Sequence, residues 1–392
     1  MTDHKNALDL LRGLVAIDSV NPTLVPGARG EAEVARFLEG WLRERGIAAE
    51  LHEASVTAGV SRPNVVAWLG PEPRRDAIGK PRAGLALVGH MDTVGAGDMP
   101  EPFTPRERDG RLYGRGALDI KCGVAAMCAA AAAIVREGAR LRKPLLVAAV
   151  VDEECDSVGM QAMVREVTAD AAVVMEPTNL KVCIAHKGFA WFRVATQGRA
   201  AHGSLPGEGR DAIRMMGRVL KRLDALDLRL AQQTAHPLLG PASVHASLIS
   251  GGQELSSYPA ECRLELERRT LPGETDDAVQ AEMELLLEEL RARDADFRAT
   301  AQFLGSREAY EIVPEAPIAA AAAGAARHVL GASEFCGMSF WTDTALLGAA
   351  GIPGIVFGPS GRGLHGKEEY VELDSVTACA EVLRKLILAW CG

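Results

Sequence analysis

The chain has 392 residues, of which 48% are hydrophobic and 24% charged, and its formal net charge is −9 at pH 7. This length exceeds what one ordinary hydrophobic core needs, so it predicts two domains, one of them inserted in the other. The composition is that of a soluble globular protein. The negative charge argues against a nucleic-acid or anionic-membrane surface, so we expect the partners to be small molecules.

No segment of the sequence predicts secretion or a membrane anchor. The first six residues are polar and lack the apolar run of a secretory signal. The longest stretch of low polarity, residues 122–135, is too short to span a bilayer. The eight cysteines form no C-x-x-C pair, which fits reduced thiols. We therefore expect a cytoplasmic protein without membrane partners.

The N-terminal part of the chain leads into a buried strand that ends in polar side chains. Helices are predicted at residues 4–15 and 30–45, and short strands at 47–53 and 64–69. The aliphatic run 85–94 then predicts a strand buried on both faces. Within it His90 and Asp92 share a face because side chains alternate along a strand. Taken alone, His90 would be an ordinary core histidine and Asp92 a loop cap.

Three further buried strands are predicted to end in the same way, close to metal-competent side chains. They are residues 145–151, followed by Asp152, Glu153 and Glu154; residues 171–175, followed by Glu176; and residues 352–357, followed by a loop that contains His365. Open α/β sheets place their chemistry beyond the carboxyl ends of their strands. The acids at 152–156 would otherwise be a solvated turn.

Asp119 precedes an Ala-rich helix that ends near Gly138, and alone it would be a helix N-cap. The nearby Gly114 and Gly116 do not indicate a dinucleotide loop, because Asp119 replaces the third glycine and no strand leads directly into them. A nicotinamide oxidoreductase is therefore disfavoured, and the absence of cofactor binding would exclude it.

Seven side chains at these strand ends are candidates for one site: His90, Asp92, Asp119, Glu153, Glu154, Glu176 and His365. Imidazoles and carboxylates without a thiolate suit Zn²⁺, Co²⁺ or Mn²⁺ better than Ca²⁺ or Mg²⁺. The number of carboxylates exceeds what one ion needs, which favours a bridging oxygen ligand and two metals.

Residues 187–303 have a separate pattern that predicts an inserted α+β domain. Its elements are a strand at 188–196, a helix at 211–225, strands at 243–250 and 261–268, a helix at 276–292 and a strand at 296–303. This βαββαβ order is that of a ferredoxin-like sandwich.

Five motifs in this order resemble the M20 metallopeptidase and deacylase family. They are residues 89–94, 114–121, 152–154, 175–177 and 363–366. The resemblance implies an α/β catalytic domain with a mostly parallel sheet and helices on both faces, formed by residues 1–186 and 304–392. It also implies that residues 187–303 form a lid and dimerisation domain.

The resemblance implies one Zn²⁺ held by His90, Asp119 and Glu176, and a second held by Asp119, Glu154 and His365. Co²⁺ or Mn²⁺ would be substitutes. Asp92 would then fix the tautomer of His90, and Glu153 would be the general base because it holds no metal. The resemblance further implies a cis peptide bond between Asp119 and Ile120.

Three more residues match lid positions of the family. His202 is expected to reach the partner subunit's active site in a homodimer and polarise the scissile carbonyl, and Arg269 to bind the substrate carboxylate. Ser256 stands where many relatives have Asn, which leaves the substrate open. Without the resemblance, His202 would be a surface histidine and Arg269 a solvated strand end.

These observations predict a metal-dependent hydrolase that cleaves the amide bond of an N-acyl amino acid, of the deacetylase, desuccinylase or aminoacylase type. The alternative is a dipeptidase or carboxypeptidase of the same family. A catalytically inactive binding homologue is disfavoured because the predicted ligands and Glu153 are all present.

Overall fold

The computed structural model describes residues 4–57 and 59–392. The helices in these residues are α1 (His4–Val15), α2 (Ala32–Arg43), α3 (Lys121–Arg136), α4 (Val158–Glu166), α5 (Ala212–Gln232), α6 (Asp276–Arg293), α7 (Pro317–Leu330), α8 (Thr344–Ala349) and α9 (Leu373–Cys391). None of the helices in this described part is long and apolar enough to cross a membrane.

The described residues contain both long strands and several strands of only two or three residues. They are β1 (Ala48–Thr57), β2 (Val60–Leu69), β3 (Arg74–Arg75), β4 (Pro81–Ala83), β5 (Leu85–His90), β6 (Arg106–Arg108), β7 (Arg111–Tyr113), β8 (Leu145–Val150), β9 (Thr168–Ala169), β10 (Ala172–Val174), β11 (Val182–His186), β12 (Gly188–Gln197), β13 (Ser243–Gly251), β14 (Glu261–Thr270), β15 (Ala299–Arg307), β16 (Tyr310–Glu311), β17 (Phe335–Met338), β18 (Gly354–Val356), β19 (Gly361–Arg362) and β20 (Tyr370–Glu372).

The chain divides into two compact units. The first consists of the chain up to Ile184 together with Ile312–Cys336 and Thr342–Gly392, and the second of Ala185–Glu311 and Gly337–Trp341. The second unit thus extends beyond 187–303, the range expected for the inserted domain. The difference at its C-terminal side arises because β15 continues to Arg307, which pairs with Phe189.

The large sheet of the first unit has the order β1-β2-β8-β5-β10-β18-β11. Its four central strands, β8, β5, β10 and β18, are parallel, and every residue of β5 and β8 is buried. The pairs β1–β2, β2–β8 and β11–β18 are antiparallel, and β1 and β2 form a hairpin. The predicted α/β fold class is confirmed, and its parallel part brings the carboxyl ends of four strands to one edge.

Two groups of helices pack on this sheet. Helices α1, α3, α7 and α9 contact one another, and α4 contacts α8. Within the first group, α3 is buried from Lys121 to Ile134, which fits a sequence rich in alanine. Small side chains let the helix approach the sheet closely, and the helix begins two residues after Asp119.

The second unit has strand, helix, strand, strand, helix and strand in that order along the chain. Its sheet order is β13-β14-β12-β15, and all three pairings are antiparallel. Helices α5 and α6 bury their apolar faces in a core that includes Phe192, Leu264 and Leu287. Thr275 is the N-cap of α6, because its side chain accepts a hydrogen bond from the backbone N–H of Ala278.

One glycine allows α3 to approach the edge of the sheet where the polar residues collect. A Cβ atom on Gly123 would lie 2.2 Å from the carbonyl oxygen of Met175, the residue before Glu176. Gly324, in α7, is also helical, but among the described residues no atom lies within 4 Å of where its Cβ would be. The two glycines form a matched pair.

We predict that Gly123→Ala lowers the free energy of unfolding by about 1–3 kcal/mol, because backbone must move to relieve the overlap. Gly324→Ala should raise it by about 0.5–1 kcal/mol, because alanine has less backbone entropy to lose. Urea denaturation followed by circular dichroism measures both. Equal effects of the two substitutions would contradict the close approach at Gly123.

Candidate metal centre

The first unit brings seven predicted side chains to the carboxyl edge of the parallel strands. His90 is the last residue of β5; Asp119 precedes α3; Glu153 and Glu154 lie in the turn after β8; Glu176 follows β10; and His365 lies between β19 and β20. Asp92 lies two residues after β5. The peptide bond between Asp119 and Ile120 is cis, as the family resemblance implied.

Five of these residues form two clusters that share Asp119: His90, Asp119 and Glu176 in one, and Asp119, Glu154 and His365 in the other. His90 Nε2 lies 3.3 Å from Asp119 Oδ1 and 3.6 Å from Glu176 Oε1. His365 Nε2 lies 3.1 Å from Asp119 Oδ2 and 3.2 Å from Glu154 Oε2. Because each cluster uses a different oxygen of Asp119, this carboxylate has the geometry of a bridge.

The spacing and the unpaired atoms of the clusters fit divalent metal ions. Ligand atoms around a tetrahedral Zn²⁺ lie about 3.3–3.6 Å apart, which is close to the observed separations. Within residues 4–57 and 59–392, His90 Nε2, Glu154 Oε1 and Glu176 Oε1 are buried without a hydrogen-bond partner. Such atoms are costly unless another ligand satisfies them, and a cation would do so.

The acids of the site repel one another in a buried setting. Burial raises the pKa of Glu176 well above its ordinary value, and burial together with the charge of Glu176 does the same for Glu153. Hydrogen bonds to Asp119 and Glu154 raise the pKa of His365 to about 10. A bound cation would favour the deprotonated form of each of these groups and so lower these pKa values.

Glu153 lies beside the two clusters and belongs to neither. Its Oε2 is 3.9 Å from His90 Nε2, and its side chain is 12% exposed. A carboxylate that is near the ligands and still reached by solvent can exchange protons with a bound water. Its place is therefore compatible with a general base.

Asp92 acts on the site through hydrogen bonds of its backbone and its side chain. The carbonyl oxygen of Asp92 lies 3.0 Å from Nδ1 of His90, which places the N–H of the ring there and leaves Nε2 as the ring atom that could bind a metal. Its carboxylate accepts the backbone N–H groups of Glu153 and Glu154, each at 3.2 Å. The backbone carbonyl of Asp92 is therefore better placed than its carboxylate to fix the His90 tautomer, because the carboxylate lies 3.5 Å from Nδ1.

A buried polar network behind Asp92 was not expected from the sequence. Asn21 Nδ2 donates to Asp92 at 2.8 Å and to Asp152 at 3.0 Å, and Arg62 Nη1 donates to Asp152 at 2.7 Å. Arg62 also forms a buried ion pair with Glu31 through two hydrogen bonds. No local pattern marks Asn21, Glu31 or Arg62, because each becomes polar core only through partners far away in the chain.

The three remaining predicted residues lie in the second unit. His202 is exposed, its Nδ1 lies 2.7 Å from Ser204 Oγ, and its backbone forms a bridge with Ser257. The carbonyl of Ser256 accepts the N–H of Gly203 at 2.7 Å, which holds the His202 and Ser256 loops together.

Arg269 lies on β14, and its side chain is held on two sides. Its Nε donates to Glu267 Oε1 at 2.6 Å, and its guanidinium carbon lies 5.4 Å from the centre of the Phe189 ring. Trp191 Nε1 donates to the other oxygen of Glu267 at 2.8 Å, so the partner of Arg269 is itself fixed. The guanidinium is therefore oriented in advance.

The sequence matches one protein family and is similar along its whole length to a curated protein. The family model described as peptidase family M20/M25/M40 matches residues 86–389. An acetylornithine deacetylase from Myxococcus xanthus is 30% identical over 97% of this chain and 97% of its own length.

Solved structures share the fold at low sequence identity. A tripeptidase from Staphylococcus aureus superposes with a TM-score of 0.79 at 18% identity, covering 99% of each chain. A dinuclear metal-binding peptidase of the M20 family from Bacillus subtilis has a TM-score of 0.72 at 17% identity and covers 98% of each chain. On the match of the family model and the full-length similarity to the deacetylase, the chain belongs to peptidase family M20/M25/M40.

Proposed function

We propose that the protein is a two-zinc hydrolase that cleaves the amide bond of an N-acyl amino acid with a free carboxylate, with Co²⁺ or Mn²⁺ as substitute ions. The observation that carries the proposal is the pair of clusters sharing Asp119, with Glu153 beside them. Relatives named acetylornithine deacetylase support acyl removal from an amino acid. The predicted cytoplasmic location and the division into domains at residues 187 and 303 belong to the same proposal.

His90, Asp119 and Glu176 would hold one ion, and Asp119, Glu154 and His365 the other. When bound, divalent ions supply Lewis acidity and lower the pKa of a coordinated water toward ~7. The Glu153 carboxylate removes a proton from the water as the oxygen of the water forms a bond to the amide carbon. Glu153 then gives this proton to the nitrogen as the C–N bond breaks, so the amine leaves neutral.

We assign substrate recognition to the second unit. Arg269 is suited to a bidentate contact with the substrate carboxylate because Glu267 and Phe189 already orient its guanidinium. His202 is assigned to the carbonyl oxygen of the scissile amide. Ser256 offers a hydroxyl for one hydrogen bond, which is shorter in reach than the amide of an Asn.

A homodimer through the second unit completes the proposal. Strand β13 is one of the two outer strands of its sheet, and its residues from His245 to Gly251 are exposed. Leu248 and Ile249 on this strand are 65% and 57% exposed. An outer strand with exposed apolar side chains is suited to pairing with a copy of itself around a twofold axis.

We predict hydrolysis of at least one compound in a panel of N-acetyl, N-succinyl and N-formyl amino acids tested with added Zn²⁺ or Co²⁺. A chelator should abolish this hydrolysis and added metal should restore it, because the bound ions supply the Lewis acidity that activates the water. Dipeptides in the same panel test the alternative peptidase function. Full activity in protein shown to be metal-free would contradict the proposal.

We predict that Glu153→Gln retains both ions and lowers kcat by about 10²–10⁴-fold, since an amide cannot accept the proton. Glu154→Gln should instead lose one of the two ions, because it removes a ligand from one cluster only. Elemental analysis of each purified variant, beside its kcat, distinguishes the two roles. Equal loss of metal in both variants would show that the assignment of base and ligand is wrong.

We predict that His202 serves the partner subunit, so inactive His202→Ala and inactive Glu153→Gln chains should complement each other. A mixed dimer contains one working site, with Glu153 from the first chain and His202 from the second. Equal mixing under subunit exchange should restore about a quarter of wild-type activity. The control is each variant exchanged with itself. Proven exchange without recovered activity would mean that His202 acts within its own chain or has no role.

A further inference from the structure

Glu369 is a buried acid that none of the roles above uses. It is 1% exposed and directly precedes β20, which pairs with β7 so that Tyr370 faces Tyr113. The carbonyl of Glu369 accepts the N–H of Gly114 at 3.2 Å. This pairing directs the Glu369 side chain toward the loop that follows β7 and ends at Asp119.

The Glu369 carboxylate accepts four hydrogen bonds from that loop. Oε1 accepts the backbone N–H groups of Leu118 at 2.8 Å and Asp119 at 3.0 Å. Oε2 accepts the N–H of Gly116 at 3.1 Å and Nη1 of Arg115 at 2.7 Å. Four bonds use about the full acceptor capacity of a carboxylate. The backbone around the bridging residue Asp119 is thus held by one side chain from the far end of the chain.

Arg115 links this loop to the loop of His365. Arg115 is 2% exposed, and while Nη1 donates to Glu369, Nη2 donates to the carbonyl of Gly366 at 3.0 Å. Gly366 follows His365, whose side chain is 53% exposed and whose φ is 60°. An exposed histidine with an unfavourable backbone conformation needs support from its neighbours, and the planar fork of Arg115 provides it.

We propose that Glu369 and Arg115 are positioning residues. Glu369 holds the backbone at Asp119 and so affects both ions, whereas Arg115 holds the His365 loop and so sets the affinity for the second ion, that of the Asp119, Glu154 and His365 cluster. The inference rests on the proposed two-metal function. It also predicts an asymmetry between the ions, because His90 ends the central strand β5 and Glu176 closely follows the central strand β10, whereas neither lies in the His365 loop. Arg115 therefore supports one cluster, whereas Glu369 supports the residue that both clusters share.

The decisive substitution is Arg115→Lys, which keeps the positive charge and removes the planar fork. A lysine cannot hold Glu369 and the Gly366 carbonyl in the same geometry. Co²⁺ titration of metal-free protein, followed by visible absorption against a competing chelator, should show two binding steps in the wild type. In Arg115→Lys the second step should weaken by about 10–100-fold, as for other residues that orient metal ligands, while the first remains unchanged.

Glu369→Gln tests the other half of the inference. Its amide N–H₂ would face Gly116 N–H and Arg115, or else Leu118 and Asp119, so that donors oppose donors. Because Asp119 contributes to both clusters, both Co²⁺ steps should weaken. In metal-free protein, hydrogen exchange at the amides of residues 116, 118 and 119 should become faster in Glu369→Gln and stay as in the wild type in Arg115→Lys.

Arg384→Lys is the matched control. Arg384 is also a buried arginine of the first unit, 8% exposed, and it donates to Glu381 and Glu137. If Arg115 has a merely structural role, Arg115→Lys should behave like Arg384→Lys: the thermal midpoint falls and both Co²⁺ steps stay intact. A selective loss of the second step in Arg115→Lys supports the inference.

The outcomes separate this inference from the proposed function. Two unchanged Co²⁺ steps in Arg115→Lys would overturn the inference alone. A wild-type protein that binds fewer than two ions would contradict the proposed function and the inference with it. Should Glu369→Gln fail to fold, Arg115→Lys decides the question by itself.

Discussion

The site depends on one buried carboxylate, that of Asp92, which is fully excluded from solvent. A buried charge must be satisfied by hydrogen bonds or by opposite charge. Asp92 meets this requirement by accepting from Asn21 and from the backbone N–H groups of Glu153 and Glu154. The bonds that satisfy Asp92 therefore also fix the turn that carries the proposed base and one ligand, so that burial of this charge determines the shape of the site.

The same requirement extends outward through Asn21 to Asp152, Arg62 and Glu31. Burial raises the pKa of Glu31 to about 7, although its hydrogen bonds with Arg62 act in the opposite direction. Removing Arg62 would leave two buried acids without their cation, a change that typically costs 3–5 kcal/mol. Because Arg62 supports Asp152, and Asp152 lies next to Glu153, stability and the geometry of the site rest on the same ion pairs.

The sequence predicts those parts of the site that follow local patterns. His90, Glu154 and Glu176 each follow a buried aliphatic run, so their common edge follows from the parallel order of the central strands. Glu369, Arg115, Asn21 and Arg62 could not be found in this way. Whether a polar side chain is buried depends on its tertiary partners, and Arg115 and Glu369 are separated by 254 residues. The extent of the second unit has a related cause, since β15 pairs with β12 through its backbone as far as Arg307, beyond its apolar residues.

The proposed roles of the two units match the strand arrangement of their sheets. The parallel strands of the first unit bring together side chains that are distant in sequence, and metal ligands require such convergence. The antiparallel sheet of the second unit has an outer strand, β13, whose exposed Leu248 and Ile249 favour association. Its neighbour β14 carries Arg269, oriented by Glu267 and Phe189. The strand proposed to pair with a copy and the arginine proposed to bind the substrate thus lie side by side in one sheet.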